Sequence, residues 1–140
     1  LKKGQAAKAE ELFARVVQLD PKDEDNYLDM AEIYAARGQA AKAEELVGKA
    51  VSLAPKKKGT LLRTGLTLLK AGQPAKAEDF FNRAFQADPK DEDLFVDAGL
   101  GYLEKGNAPR AAELFAKGLN LAPKKGKLYL KIGQAYLGKN

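Results

Sequence analysis

A fixed period constrains this chain more than any other feature. Pro21, Pro55, Pro89 and Pro123 stand 34 residues apart, and Gly4, Gly38, Gly72 and Gly106 keep the same spacing. Ala9, Ala43, Ala77 and Ala111 form a third series in phase with them, and Phe13, Val47, Phe81 and Phe115 a fourth. A unit of this length cannot bury its apolar face alone, so successive units must stack to share a core. The 140 residues are expected to form an array.

Each series has a separate task. Proline lacks the N–H and disfavours helical geometry in the residue before it, so the prolines close apolar helical stretches such as Leu12 to Leu19. The glycines follow runs such as Tyr34-Ala35-Ala36-Arg37, where a helix end needs a residue that enters the left-handed region without penalty. Pro74 and Pro109 fall in the first turn of a helix, where an N–H is unpaired anyway. These signals predict helices near 5–19, 24–37, 40–53, 58–71, 74–87, 92–105, 108–121 and 126–138. Short connections make neighbours antiparallel. The predicted fold is all-α, a solenoid of antiparallel helix pairs forming one array over 1–140. Residues 1–23 supply the second helix of a partial repeat, 24–57, 58–91 and 92–125 form three repeats, and 126–140 supply the first helix of another.

Small residues recur where helices must approach closely: Ala31, Gly65, Gly99 and Gly133 in the first helix of each pair, facing the alanine series of the second. Tyr27, Leu61, Phe95 and Tyr129, with Tyr34, Leu68, Tyr102 and Tyr136, keep the same spacing and read as core. The pattern of the third pair, Phe95, Ala98, Gly99, Tyr102, Gly106, Ala111, Phe115, Gly118 and Pro123, resembles the tetratricopeptide repeat family, and the resemblance extends over essentially the whole chain. It implies a right-handed superhelix whose first helices line a concave groove for peptides or partner helices. Some members grip a C-terminal carboxylate with lysines, asparagines and an arginine. The corresponding positions here hold Leu28, Glu32, Arg63, Asp93 and Asp97, so a clamp of that type is not expected.

Composition removes most enzymatic readings. The chain has no His, Cys or Trp, a single serine at Ser52, and threonines only at Thr60, Thr64 and Thr67. No nucleophile with a base, no metal cluster and no cofactor motif is visible, and an enzyme is not expected. Without cysteine the redox compartment is not marked, leaving cytoplasm and periplasm open. No apolar run approaches the roughly 18 residues of a membrane span. The Ala/Lys-rich repeats look bacterial. A net charge of +5 argues for solubility and weak attraction to anions.

A longer period overlies the first. Asp20-Pro21-Lys22-Asp23-Glu24-Asp25 returns 68 residues later as Asp88-Pro89-Lys90-Asp91-Glu92-Asp93, while the intervening loops are basic. The carboxylates suit a helix N-terminus, where they cap free N–H groups. Lysines there oppose the helix dipole, so Lys56, Lys57, Lys58, Lys124, Lys125 and Lys127 are candidates for binding an anionic partner, against the alternatives of a solvated loop or pairing with the acidic loops.

The second helices carry an outer charge ladder in which Glu11, Glu45, Asp79 and Glu113 each precede a base by four residues. Interleaved signs on that face argue against nucleic acid. Inner positions of the first helices give a candidate partner groove: Leu28, Leu62, Arg63, Leu66, Leu69, Val96, Leu100, Leu103 and Lys131. The leading functional reading is therefore a scaffold that holds a partner protein or peptide. The alternative is a structural module associating head to tail, with Phe13 and Val16 at one end and Ile132 and Tyr136 at the other expected to be exposed.

Overall fold

The computed structural model describes residues 3–138. Its helices are α1 (Lys3–Leu19), α2 (Glu24–Ala36), α3 (Ala40–Leu53), α4 (Lys58–Lys70), α5 (Pro74–Ala87), α6 (Glu92–Glu104), α7 (Ala108–Leu121) and α8 (Gly126–Leu137). Boundaries set by proline and glycine fall within two residues of those expected. The first helices α2, α4 and α6 end one residue early because Arg37, Ala71 and Lys105 already serve as C-caps.

The turn inside each pair shows why glycine recurs. Gly38, Gly72 and Gly106 adopt φ of 73°, 80° and 81°. At the first turn, the Gly38 N–H donates to the Ala35 carbonyl and the Gln39 N–H to that of Tyr34, and the other two turns repeat this. These are the paired bonds of a Schellman ending, which satisfy carbonyls that the helix leaves free. At helix starts, Asp23 accepts from the Asp25 N–H and Asp91 from the Asp93 N–H, each at 3.0 Å. The acidic loops are therefore N-caps.

Within each pair the close approach rests on the small residues. A Cβ on Gly65 would stand 2.5 Å from Phe81 Cε1, and one on Gly99 2.6 Å from Phe115 Cε1. Phe81 is fully buried and tilts against Tyr102 of the next pair at 5.6 Å, so each aromatic ring bonds its own pair and the following one into a continuous core. Phe85 and Phe95 stack at 4.3 Å in the same junction. One stretch breaks the pattern: Thr60, Thr64 and Thr67 of α4 are buried, and their Oγ1 atoms meet no hydrogen-bond partner among the described residues.

Curvature follows from which helices meet. The backbones of α2, α4, α6 and α8 approach one another in sequence, whereas among the described residues those of α1, α3, α5 and α7 do not. The first helices accordingly form the inner, concave side. Long side chains bridge the wider outer side: Glu10 pairs with Lys42, Glu44 with Lys76 and Glu78 with Arg110. Among the described residues only Glu45 and Lys49 form the expected four-residue pair, at 3.0 Å. Glu11 and Glu113 turn instead to Lys8 and Arg110.

The ends are less open than the sequence suggested. Ile132 is buried in the shared core, because it faces back toward the preceding pair. Phe13 and Val16 are half-buried, Phe13 lying edge-on to Tyr34 at 5.9 Å. Tyr136 alone of the four is exposed, while touching Phe115 edge-on at 5.8 Å. On α8 the larger open surface is made by Tyr129, Leu130 and Leu137.

Candidate functional site

On the concave side, α4 and α6 run beside each other and leave a depression of about 390 Å³. Leu66, Leu69, Leu100 and Gly101 supply its apolar surface, with Thr67 beneath. Gly101 lets the helices close up, since a Cβ there would meet Leu66 Cδ2 at 2.6 Å. Leu66 and Leu100 are only partly buried, although their neighbours along the same helices are core. Around the rim stand Glu32, Asp97 and Glu104, with Lys70 and Lys105 toward the turns inside the pairs.

The charges of this face join helices in twos. Arg63 of α4 reaches back to α2, where its guanidinium meets Asp25 at 3.2 Å, Asp29 at 2.6 Å and Glu32 at 3.0 Å. Burial opposes the charged form of Arg63, yet its bonds to Asp29 and Glu32 outweigh this and raise its pKa. Lys131 of α8 reaches back to Asp97 of α6 in the equivalent way. Thus α2 with α4, and α6 with α8, form two acid–base doublets, and the depression lies between them.

A family model described as the Cilia and flagella-associated protein 70 middle TPR-like domain matches residues 2–93, well over half of the chain. The chain belongs to the tetratricopeptide repeat family. Solved structures of TPR proteins share its fold. TTC0263, a TPR protein of Thermus thermophilus, superposes with a TM-score of 0.69 at 24% identity, covering 97% of this chain and 75% of that one. YrrB, described as a TPR protein with an unusual peptide-binding site, gives 0.63 at 22% identity over 94% of this chain and 68% of that one. MamA gives 0.60 at 26% identity over 98% and 80%. No curated protein matched the chain. The TPR fold is that of a protein-interaction scaffold.

Not every residue expected in the TPR groove reaches it. Leu28 and Val96 are wholly buried, and Leu62 and Leu103 nearly so, because the inner helices pack on one another through these positions. They belong to the core. Leu66, Leu69 and Leu100 do line the depression, while Arg63 and Lys131 are occupied by carboxylates of the preceding first helix. The sequence reading missed Gly101, Glu104, Lys70 and Lys105. Gly101 was legible as a break in the apolar series of α6; the others sit at helix ends, where charge reads as capping.

The basic loops also change meaning. Lys57 pairs with Glu24 at 2.5 Å, Lys58 with Asp88 at 2.6 Å and Asp91 at 2.8 Å, and Lys125 with Glu92 at 2.7 Å and Asp93 at 3.1 Å. Lysine stands at these helix starts because an acidic start lies beside it in the neighbouring pair. Hydrogen bonding to Lys57 lowers the Glu24 pKa, and hydrogen bonding to Lys125 lowers that of Glu92. These three lysines are therefore not open to an outside anion. Lys56, Lys124 and Lys127 are exposed. Among the described residues no helix is long and apolar enough to cross a membrane.

Proposed function

We propose that the chain is a scaffold that holds a segment of a partner protein on its concave side, in the depression between α4 and α6. The observation that carries this is the half-open pair Leu66 and Leu100, set at the seam between the two doublets around a volume sized for one or two apolar side chains. Apolar surface left facing such a hollow, with polar groups around it, is the ordinary design of a peptide groove. The peptide-binding site named for YrrB, a protein of the same fold, agrees with a peptide as ligand. Selection of a random peptide display library against the chain tests the proposal. Selected peptides should lose at least tenfold in affinity for L66E/L100E while its circular dichroism is unchanged, and undiminished binding counts against it.

A second reading draws on α8. Gly133 has open space where Gly65 and Gly99 receive a phenylalanine, and Tyr129, Leu130 and Leu137 are exposed beside it. In this reading, α1 of another copy fills that face. Val16 opposes it, being larger than Ala50, Ala84 and Gly118, which take the equivalent tight position. Light scattering across a concentration series distinguishes the cases: growth in mass supports end-to-end association, and a constant monomer mass removes it.

A further inference from the structure

A further hollow, of about 230 Å³, opens on the outer side between α1 and α3 and over α2. Phe13 and Val17 of α1 and Leu46 of α3 form its walls, and Tyr27, Met30 and Tyr34 of α2 its floor. The repeat shows what kind of group this place accepts. Two repeats on, between α5 and α7, the residues equivalent to Val17 and Tyr27 are Phe85 and Phe95. Those rings stack at 4.3 Å with their planes 15° apart, and Phe85 also lies against Phe81 at 6.5 Å. One repeat on, the residue equivalent to Leu46 is Phe80, which packs on the core. Each later junction thus carries a phenylalanine at one of the two wall positions. The first has valine and leucine there, and its Tyr27 lines the hollow. The rim does not differ in the same way. Glu10 accepts from the Tyr34 hydroxyl at 2.6 Å and from Lys42 at 2.5 Å, as Glu78 accepts from Tyr102 and Arg110. Glu45 pairs with Lys49 at 3.0 Å, so two acids meet two bases and the rim has no surplus charge.

We infer that this hollow receives an uncharged aromatic side chain, phenylalanine or tyrosine, from a partner protein, stacked on Tyr27 as Phe85 stacks on Phe95. Offset stacking adds to the apolar contact that any side chain of this size would make, which is why a ring is favoured over leucine. The flexible thioether of Met30 on the floor adapts to the ring edge. A charged group is disfavoured, because the rim acids and bases already satisfy one another and would leave it desolvated without a partner. The mouth lies between two helices, so a ring can enter while the chain that carries it stays outside. This site is separate from the depression between α4 and α6 and does not depend on that reading.

N-acetylphenylalanine amide, N-acetylleucine amide and p-cresol, titrated separately into the isotope-labelled chain, test this by amide chemical shifts. The phenylalanine probe should give saturable shifts at Val17, Tyr27, Met30 and Leu46 and bind about fivefold more tightly than the leucine probe. V17F puts the chain's own ring where Phe85 stands in the later junction. It should weaken the phenylalanine probe by roughly tenfold or more, since no room for a second ring is left, and raise the urea midpoint by filling the hollow. L46F, which copies Phe80, is a second filling variant and should weaken the probe in the same way should V17F disturb α1. L66E/L100E should leave the affinity unchanged, which separates this site from the inner groove. Absence of saturable shifts at these residues, equal affinity for the leucine probe, or binding that survives both V17F and L46F overturns the inference. If p-cresol binds there and the capped phenylalanine does not, the site takes a free molecule and the partner side chain is refuted.

Discussion

Gly65 and Phe81 occupy one another's space: the ring edge lies where the glycine would carry a Cβ, 2.5 Å from Cε1, and Phe81 has no exposed surface into which to retreat. Gly65→Ala should therefore destabilise the chain. Overpacking a filled core costs roughly 1–3 kcal/mol, against about 1 kcal/mol gained by replacing glycine within a helix. Gly133→Ala, at the same place in the repeat, meets nothing within 4 Å and should be neutral or stabilising. Urea unfolding of the two variants checks this, and equal effects would mean that the ring does not fill the gap.

The threonines of α4 carry the next expectation. Thr64 is completely buried and its hydroxyl has no hydrogen-bond partner among the described residues. A buried polar group left unmatched costs about 1–3 kcal/mol. Thr64→Val keeps the shape and removes the hydroxyl, so it should stabilise the fold by about 1 kcal/mol, measured as a rise in urea midpoint at unchanged slope. A loss of stability would show that the hydroxyl is satisfied.

Acid should weaken the stack. Hydrogen bonds to Lys42, Lys57, Lys76, Lys58 and Lys125 hold Glu10, Glu24, Glu44, Asp88 and Glu92 below their ordinary values of 4.5 for glutamate and 3.8 for aspartate. A carboxylate whose pKa is lower folded than unfolded contributes stability above the unfolded value and loses it as pH falls through the folded one. The urea midpoint should stay level from about pH 8 to about 5.5 and decline below about 4.5. The decline should be shallower in E24Q/E44Q. Tyr34 adds nothing in this range, since burial and then Glu10 push its phenol up to about 12.

The 68-residue alternation is a zipper between neighbours as well as a pattern. If the second doublet holds α8 in place, reversing Lys131 to Glu should weaken the packing of that helix, and adding Asp97→Lys should restore part of the loss. For a pair about one-third exposed the coupling should be up to about 1 kcal/mol. Additive effects in the double-mutant cycle would deny the zipper.

Much of this was legible in the residues. The prolines and glycines determine where helices stop by local geometry, so the turns at Gly38, Gly72 and Gly106 could be placed without tertiary knowledge. Asp23 and Asp91 were readable as caps for the same reason. Burial on the inner face was not: Leu28 and Leu66 are both apolar residues on first helices, and only the spacing of adjacent helices makes the first core and the second groove. In the loops, pairing with the acidic starts was legible only as one alternative, since local rules see an unfavourable dipole contact and not that Lys57 and Lys125 reach back about one repeat to an acidic helix start. Ile132 was misjudged as open because its covering surface comes from the preceding pair.

Whether the seam between α4 and α6 holds the partner segment is decided by amide chemical-shift mapping of the chain, titrated with a peptide from the display selection. The largest shifts should cluster on Leu66, Leu69, Leu100 and Gly101 and extend to Glu32. Shifts concentrated on the outer helices, or on α8 around Gly133 and Leu137, would refute the groove.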